Sequence, residues 1–333
     1  MKKTLLKDLA EKLGISIALV SRALNHPECV SADTRKNVLQ LARKMKYRNL
    51  SWRHRKKIAV LIDFFADFND HLLNRIINEA GRMKYSFSII TMENLDLLND
   101  QFFDGAILIS HNLDRIKWRE KFKMPLVVIN HYGNPLEKIA SVFPDADHEV
   151  MTAMMHFISL GHKKIARIHP ITSKSIKKSR GSDEFYRIAE ENGIRDQVCS
   201  LCVEDSAEAI LEKILTLADE GFTAFLVITS DKAPRLLHDI RQSGLRVPED
   251  ISLITYEYNN SAYTNPPLTT IEYNYEQLVR KAIEQLKNEI AGRQIIPEIQ
   301  IPCRLNIRGS TAVPAAGKKL QIQGRIRKKT ASV

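Results

Sequence analysis

Apolar and polar positions follow two rhythms along this chain of 333 residues. Over the first 47 residues the rhythm is helical. Thr4 to Leu13 places apolar side chains at helical spacing, Gly14-Ile15-Ser16 interrupts the pattern, and Ser16 to Leu24 resumes it. The hydroxyls of Thr4 and Ser16 are placed to cap the two helices, because a first turn leaves amide groups without partners. Gly14 supplies the positive φ that a tight turn between helices requires. Leu9, Ala10, Leu13, Ile15, Val20 and Leu24 then pack the pair together, leaving Ile17, Ala18, Ser21, Arg22 and Asn25 outward. That face suits a DNA major groove. Arg22 can donate two hydrogen bonds to one guanine, Ile17 and Ala18 can touch thymine methyls, and Ser21 can hold a phosphate. The bland alternative is an ordinary amphipathic hairpin, and the docking geometry weighs against it.

From Lys57 onward the rhythm changes to short apolar runs separated by amphipathic stretches. Strands are expected at 58–62, 85–91, 105–109 and 126–129, with a helix over 72–80. A second set follows: strands at 164–168, 198–203, 225–228 and 251–256, with helices over 185–192, 233–243 and 275–291. Near-continuous apolar strands alternating with helices indicate parallel sheets covered on both faces. Two sets predict two α/β lobes, with a ligand cleft at the carboxyl ends of their strands.

The net charge of +11 is unevenly placed. Residues 43–57 hold eight Lys/Arg and residues 318–333 six more, neither stretch with an acid, so the rest of the chain is slightly acidic. A basic junction beside a helix-turn-helix is how a phosphate-contacting footprint is distributed, although a solvated linker has the same composition. The basic tail has no apolar period and is expected to be disordered. Met1-Lys2-Lys3 leads into a charged amphipathic helix and no run reaches the length of a membrane span, so a cytoplasmic, nucleoid-associated protein with no membrane partner is expected. Cys199-Ser200-Leu201-Cys202 resembles half of a zinc site, but no second pair or spaced histidines accompany it, and the run reads as a strand. No nucleophile elbow, phosphate-cradling glycine loop or histidine ligand set is present. No cofactor, metal or catalytic residue is therefore expected, and His131, His148, His156, His162 and His169 read as surface or capping groups.

The segment Thr4 to Tyr47, with Val20-Ser21-Arg22-Ala23-Leu24-Asn25 and Val30-Ser31-Ala32-Asp33-Thr34-Arg35, resembles the headpiece of the lactose-repressor (LacI/GalR) family. The resemblance implies that Ser31 caps a third helix through Val38, Leu41 and Ala42, ending near Tyr47. It extends more loosely into the core, through Leu160-Gly161-His162-Lys163-Lys164, Gly244–Ser252, Pro266–Ile271 and Arg304–Thr311. The implied fold class is α/β: an all-α helix-turn-helix headpiece (1–47), a short basic hinge (48–57), a two-lobed periplasmic-binding-protein-like core with parallel sheets (58–312) and a basic tail (313–333). The implied function is a homodimeric repressor on a palindromic operator in double-stranded DNA, controlled by a small carbohydrate-like effector.

Departures from the family pattern matter as much. The hinge is short and lacks the proline that usually opens it. Leu50 or Trp52 could serve as the apolar wedge that pries open a minor-groove step, and Trp52 could equally pack on the core. In the first lobe only Met92–Phe103 separates one strand from Asp104-Gly105, so the intervening helix is short or displaced. Carried over position by position, the effector site comprises Asn130 and Glu257 where aspartates are frequent, Ser230 where asparagine is common, a matching Asp231, and Arg180 one residue out of step. Phe64 and Phe68 could stack on a ligand's apolar face or belong to the lobe core. DNA contacts are expected from Thr4, Ser16, Ile17, Ala18, Ser21, Arg22, Asn25, Ser31, Leu50 and Trp52. The alternative function is an effector-independent or activating regulator with a degenerate cleft.

Overall fold

The computed structural model describes residues 5–25, 29–45, 47, 56–62, 67–83, 85–98, 102–110, 123–130, 139–170, 181–229, 231–257 and 260–315. The N-terminal part folds into three helices, α1 (Leu6–Leu13), α2 (Ile17–Asn25) and α3 (Ala32–Lys44). Leu9, Ala10, Val20, Ala23, Val38, Ala42 and Tyr47 form their common core, flanked by half-buried Leu13, Ile15, Leu24 and Leu41. Gly14 ends α1 in the left-handed conformation at φ 65°, and its neighbour Ile15 donates back to the Ala10 carbonyl at 3.1 Å. This closes the helix as C-terminal glycines do.

The expected cap of α1 needs correction. Leu5 occupies the cap position, its amide donating to Asp8 Oδ2 at 2.7 Å, and Thr4 lies outside the described residues. Asp8 thus takes the amide of the cap residue itself, the acid's half of a capping box. The other two caps form as expected. Ser16 Oγ accepts from the Leu19 amide at 3.1 Å and Ser31 Oγ from the Thr34 amide at 3.3 Å.

The core is two α/β lobes. In lobe 1, strands β1 (Lys57–Ile62), β2 (Ser86–Thr91), β3 (Gly105–Ile109), β4 (Leu126–Ile129) and β5 (Ala140–Pro144) join β11 (Glu298–Ile301) in a sheet ordered β11-β5-β4-β3-β1-β2, every described pair parallel. Helices α4 (Asp67–Met83) and α9 (Tyr275–Ile290) cover one face. Gly105 permits the close approach of α9, since a Cβ there would stand 3.0 Å from Leu286 Cδ1 and 3.3 Å from Ile290 Cδ1. The abbreviated connection after β2 contains a single 3-10 helix, Met92–Leu97.

In lobe 2 the sheet order is β12-β10-β9-β8-β6-β7, from β6 (Ile165–Pro170), β7 (Val198–Val203), β8 (Ala224–Val227), β9 (Ser252–Tyr256), β10 (Thr269–Glu272) and β12 (Arg304–Asn306). Only β12 is antiparallel among the described pairs. Helices α5 (Ala146–Ser159) and α6 (Ser182–Glu191) pack on one face, α7 (Ala207–Asp219) and α8 (Ala233–Gln242) on the other. Asp145 caps α5, accepting from the Asp147 and His148 amides.

The chain passes between lobes three times: from β5 into α5, from β10 into α9, and from β11 into β12. At the first and third crossings the Asp145 amide donates to the Ile301 carbonyl at 2.9 Å. Each lobe therefore turns the carboxyl ends of its parallel strands toward the other. The strand β7 places Cys199 and Cys202 three residues apart, hence on opposite faces. Cys199 packs on the lobe 2 core, and exposed Cys202 lies 3.2 Å from His169 Nδ1. The pair cannot share one metal, and among the described residues no group of three or more His, Cys, Asp or Glu could hold one.

Candidate nucleic-acid interface and ligand cleft

Helix α2 presents its outward face as a strip. Ile17 is 52% exposed, Ala18 and Arg22 are exposed, and Ser21 is half-buried, while Val20 and Ala23 face the core. Residues 17, 18, 21 and 22 share one side of a 3.6-residue helix, so the strip follows from the spacing itself. Asn25 is the last residue of α2, and its side chain lies outside the described residues, as do all of Leu50 and Trp52. Ser16 Oγ uses a lone pair for its cap bond and keeps its proton for an outside acceptor. Ser31 Oγ also shares a hydrogen bond with Thr34 Oγ1 at 2.8 Å.

The seven effector residues carried over from the resemblance are not brought together among the described residues. Phe64, Arg180 and Ser230 lie outside them, as does the side chain of Phe68 at the start of α4. Asn130 is buried just after β4, in the left-handed conformation at φ 70°. Asp231 is exposed and pairs with Lys232 at 3.4 Å, which also holds Asp205 at 3.0 Å. Glu257 is the one that lines a cavity.

That cavity, about 660 Å³, lies between the lobes and was not anticipated as a unit. Lobe 1 contributes His71 and Arg75 from α4 and Tyr275 from the start of α9; lobe 2 contributes Glu257, Glu272 and residues 304–308. Its lobe 2 wall is a closed polar network. Arg308 donates to Glu257 at 2.8 Å, to the Leu268 carbonyl at 2.7 Å and to Thr270 Oγ1 at 2.8 Å. Arg304 pairs with Glu272, and Asn306 donates to both carboxylates at 3.1 and 3.0 Å. The stretch Arg304–Thr311, read from the sequence as structural, thus supplies the wall as well.

Aromatic rings link this cavity to the buried base of lobe 2. His71 stacks on Tyr275 at 4.8 Å, Tyr275 meets Tyr273 edge-on at 5.9 Å, and Tyr273 meets Tyr256 at 5.5 Å. Tyr256 donates to Glu149 Oε2 at 2.7 Å. Burial raises the Glu149 carboxyl to about 7, although the Tyr256 hydroxyl and the nearby Arg167 pull it down. Arg167, itself buried on β6, donates to Ser182 and Ser200 at 3.2 Å.

Four described histidines of lobe 2 have structural partners, and His162 and His169 are buried, not the surface groups expected. His162 reaches Thr223 at 2.8 Å, Ser252 at 3.0 Å and the Ala312 carbonyl at 2.9 Å, strapping the last described segment to the sheet. His156 meets Thr311 at 2.9 Å, and His148 meets Cys303 Sγ at 3.4 Å. Burial lowers His156 and His162, and burial together with Arg167 lowers His169 to about 4.

A helix-turn-helix head joined to a two-lobed α/β core with three crossings is the build of a DNA-binding protein fused to a periplasmic-binding-type ligand domain. Two family models agree with this division: bacterial regulatory proteins of the lacI family match residues 5–49, and a periplasmic binding protein-like domain matches residues 154–311. Catabolite control protein A of Priestia megaterium is 28% identical over 332 residues, covering 91% of this chain and 98% of the relative. The PurR transcriptional repressor of Pasteurella multocida is 28% identical over 327 residues, covering 89% and 97%. In structure, the lac repressor dimer bound to operator and the anti-inducer ONPF superposes with a TM-score of 0.70 at 23% identity, covering 93% of this chain and 100% of that one. A ribose-bound regulator from Enterococcus faecium gives 0.66 at 24% identity, covering 78% and 99%. The chain thus carries a helix-turn-helix domain of the lacI family and a periplasmic-binding-protein-like domain, and the relatives it resembles include catabolite control protein A and PurR repressors. Its head is the DNA-binding domain of bacterial regulatory proteins and its core has the build of a ligand-binding domain. No described helix is long and apolar enough to cross a membrane.

Proposed function

We propose that this repressor acts in the cytoplasm as a homodimer on a palindromic operator, with a small carbohydrate-like effector between its lobes setting the affinity for DNA. The observation that carries the reading is the exposed strip of Ile17, Ala18 and Arg22 on α2, held over a packed three-helix core. In this reading those three side chains read bases, and Thr4, Ser16, Ser21, Asn25, Ser31 and the basic junction position phosphates. Leu50 or Trp52 is the candidate minor-groove wedge. The headpiece spans 1–47, the hinge 48–57, the core 58–312 and the tail 313–333. No catalytic role is assigned to any residue.

Isologous pairing of two subunits about a two-fold axis makes the operator symmetric, with half-sites set by the spacing of the heads. Binding of the full-length chain to a palindromic duplex, a single half-site and a scrambled duplex of equal length, at fixed salt, tests this. The palindrome should bind far more tightly than the other two, with two chains per duplex. Equal affinity for all three would reduce the interaction to charge alone.

A second reading, an effector-independent regulator, draws support from Glu257, whose carboxylate is already engaged by Arg308, Asn306 and Thr270. Release of operator by any of a panel of neutral sugars would rule it out.

A further inference from the structure

Two cationic or donor side chains of lobe 1 face the interlobe cavity with no acceptor among the described residues. Arg75 makes no hydrogen bond or ion pair among the described residues, and His71 makes only its ring stack on Tyr275. Both stand on α4 one turn apart, at positions i and i+4, so both reach the same space. Across it, the carboxylates of lobe 2 do not supply the missing acceptors. Glu257 is held by Arg308, Thr270 and Asn306, and Glu272 by Arg304 and Asn306. The lobe 2 wall is thus internally neutralised, two arginines against two glutamates, and among the described residues lining the cavity Arg75 adds one positive charge without an ion-pair partner.

Its volume of about 660 Å³ falls within the range of small-molecule sites. The occupant that satisfies such a wall is a hydroxylated molecule carrying an anionic group. Its hydroxyls would exchange hydrogen bonds with Glu257, Glu272 and Asn306, and its anion would face Arg75 and His71. An arginine fork fits both carboxylate and phosphate oxygens. We propose that the effector of this repressor is an acidic sugar, a sugar carboxylate or a sugar phosphate, whose anionic group is bound by Arg75. The inference rests on the effector reading above and names the ligand class. Binding of this kind spans the two lobes, since Arg75 belongs to lobe 1 and the hydroxyl-binding wall to lobe 2, so the ligand favours the arrangement in which both reach it.

Arg75 also borders a neighbouring cavity of about 290 Å³ with Glu276 and Glu79. Glu79 pairs with Arg82 at 2.6 Å, and Glu276 forms no ion pair with Arg75.

The test is calorimetric titration of the full-length chain with D-glucuronate, D-glucose 6-phosphate and D-glucose, for the wild type and Arg75→Gln. Arg75 is exposed on the outside of α4, so the variant keeps the fold, and its unchanged melting temperature is the control. At least one acid should bind saturably, with glucose roughly tenfold weaker or worse, and Arg75→Gln should weaken the acid by about tenfold or more while leaving glucose unaffected. Comparing the two acids separates a carboxylate site from a phosphate site. Arg304→Gln provides a second arm: it leaves Glu272 uncompensated beside the ligand and should weaken the acid as well. Glucose binding as tightly as both acids overturns the anionic assignment and leaves the effector reading standing. Acid binding indifferent to Arg75→Gln also overturns it, with Arg75 then serving Glu276. Binding of none of the probes overturns it too; release of operator by a neutral sugar would then leave the effector reading standing without its anionic part.

Discussion

Arg22 stands exposed on α2 among small and apolar neighbours, with no acid beside it in that helix to occupy its guanidinium. An arginine in that setting can commit both donors to one base edge. Arg22→Ala should cost about 1–3 kcal/mol of operator binding and relax specificity at one base pair. Affinities measured against all single-base operator variants check this; a loss equal on every sequence would make Arg22 a phosphate contact. Glu149 allows a second expectation at the same scale. Its carboxyl is raised from 4.5 to about 7 in the folded chain, so stability from this group is fully present below pH 4.5 and is lost as pH rises through 7. Glu149→Gln keeps an acceptor for Tyr256 and cannot ionise. Relative to the wild type, its melting temperature should therefore gain as pH rises from 5 to 8, whatever its baseline. Parallel curves for the two proteins would mean that the buried carboxyl does not titrate in that window.

At the scale of elements, the fit of α9 onto the lobe 1 sheet depends on Gly105. A methyl there would meet Leu286 Cδ1 at 3.0 Å and the Pro125 carbonyl oxygen at 3.3 Å. The leucine tip can shift but the carbonyl is fixed by its sheet, so Gly105→Ala should destabilise by about 1–3 kcal/mol, read as a lowered midpoint of thermal unfolding. The regular elements were the legible ones. The strands at 105–109 and 126–129 lie where their apolar runs put them, because a strand buried on both faces leaves an unbroken hydrophobic signature, and the half-buried edge strand at 198–203 lies where its apolar run puts it as well. Helix α5 was read only from its closing turn at Leu160-Gly161, since Met151 and Met155 on its exposed side blur the amphipathic contrast. Strands β5, β11 and β12 are too short or too mixed to stand out. Helix α1 starts one residue later than the Thr4 hydroxyl suggests, because Leu5 carries no side-chain acceptor to mark it as the cap and only Asp8, three residues on, signals it. The cavity was least legible. His71, Arg75 and Tyr275 come from segments far from Glu257 in the chain, and only the crossings between lobes bring them together.

For the whole molecule, acid and base act in opposite directions. Burial holds His156, His162 and His169 below the ordinary 6.5, with His169 near 4. Between those values the unfolded chain takes up protons that the folded chain refuses, so stability falls as pH drops from about 6.5 toward 4. Unfolding midpoints at pH 5 should lie below those at pH 7 once Glu149→Gln removes the opposing carboxyl. In the proposed function, α2 reads sequence as one half of a symmetric pair. Selection of bound duplexes from a random DNA pool by the full-length chain, at moderate salt, tests it most directly. One palindromic sequence should be enriched, with a guanine fixed opposite Arg22 in each half-site. A recovered pool with no enriched sequence would contradict it.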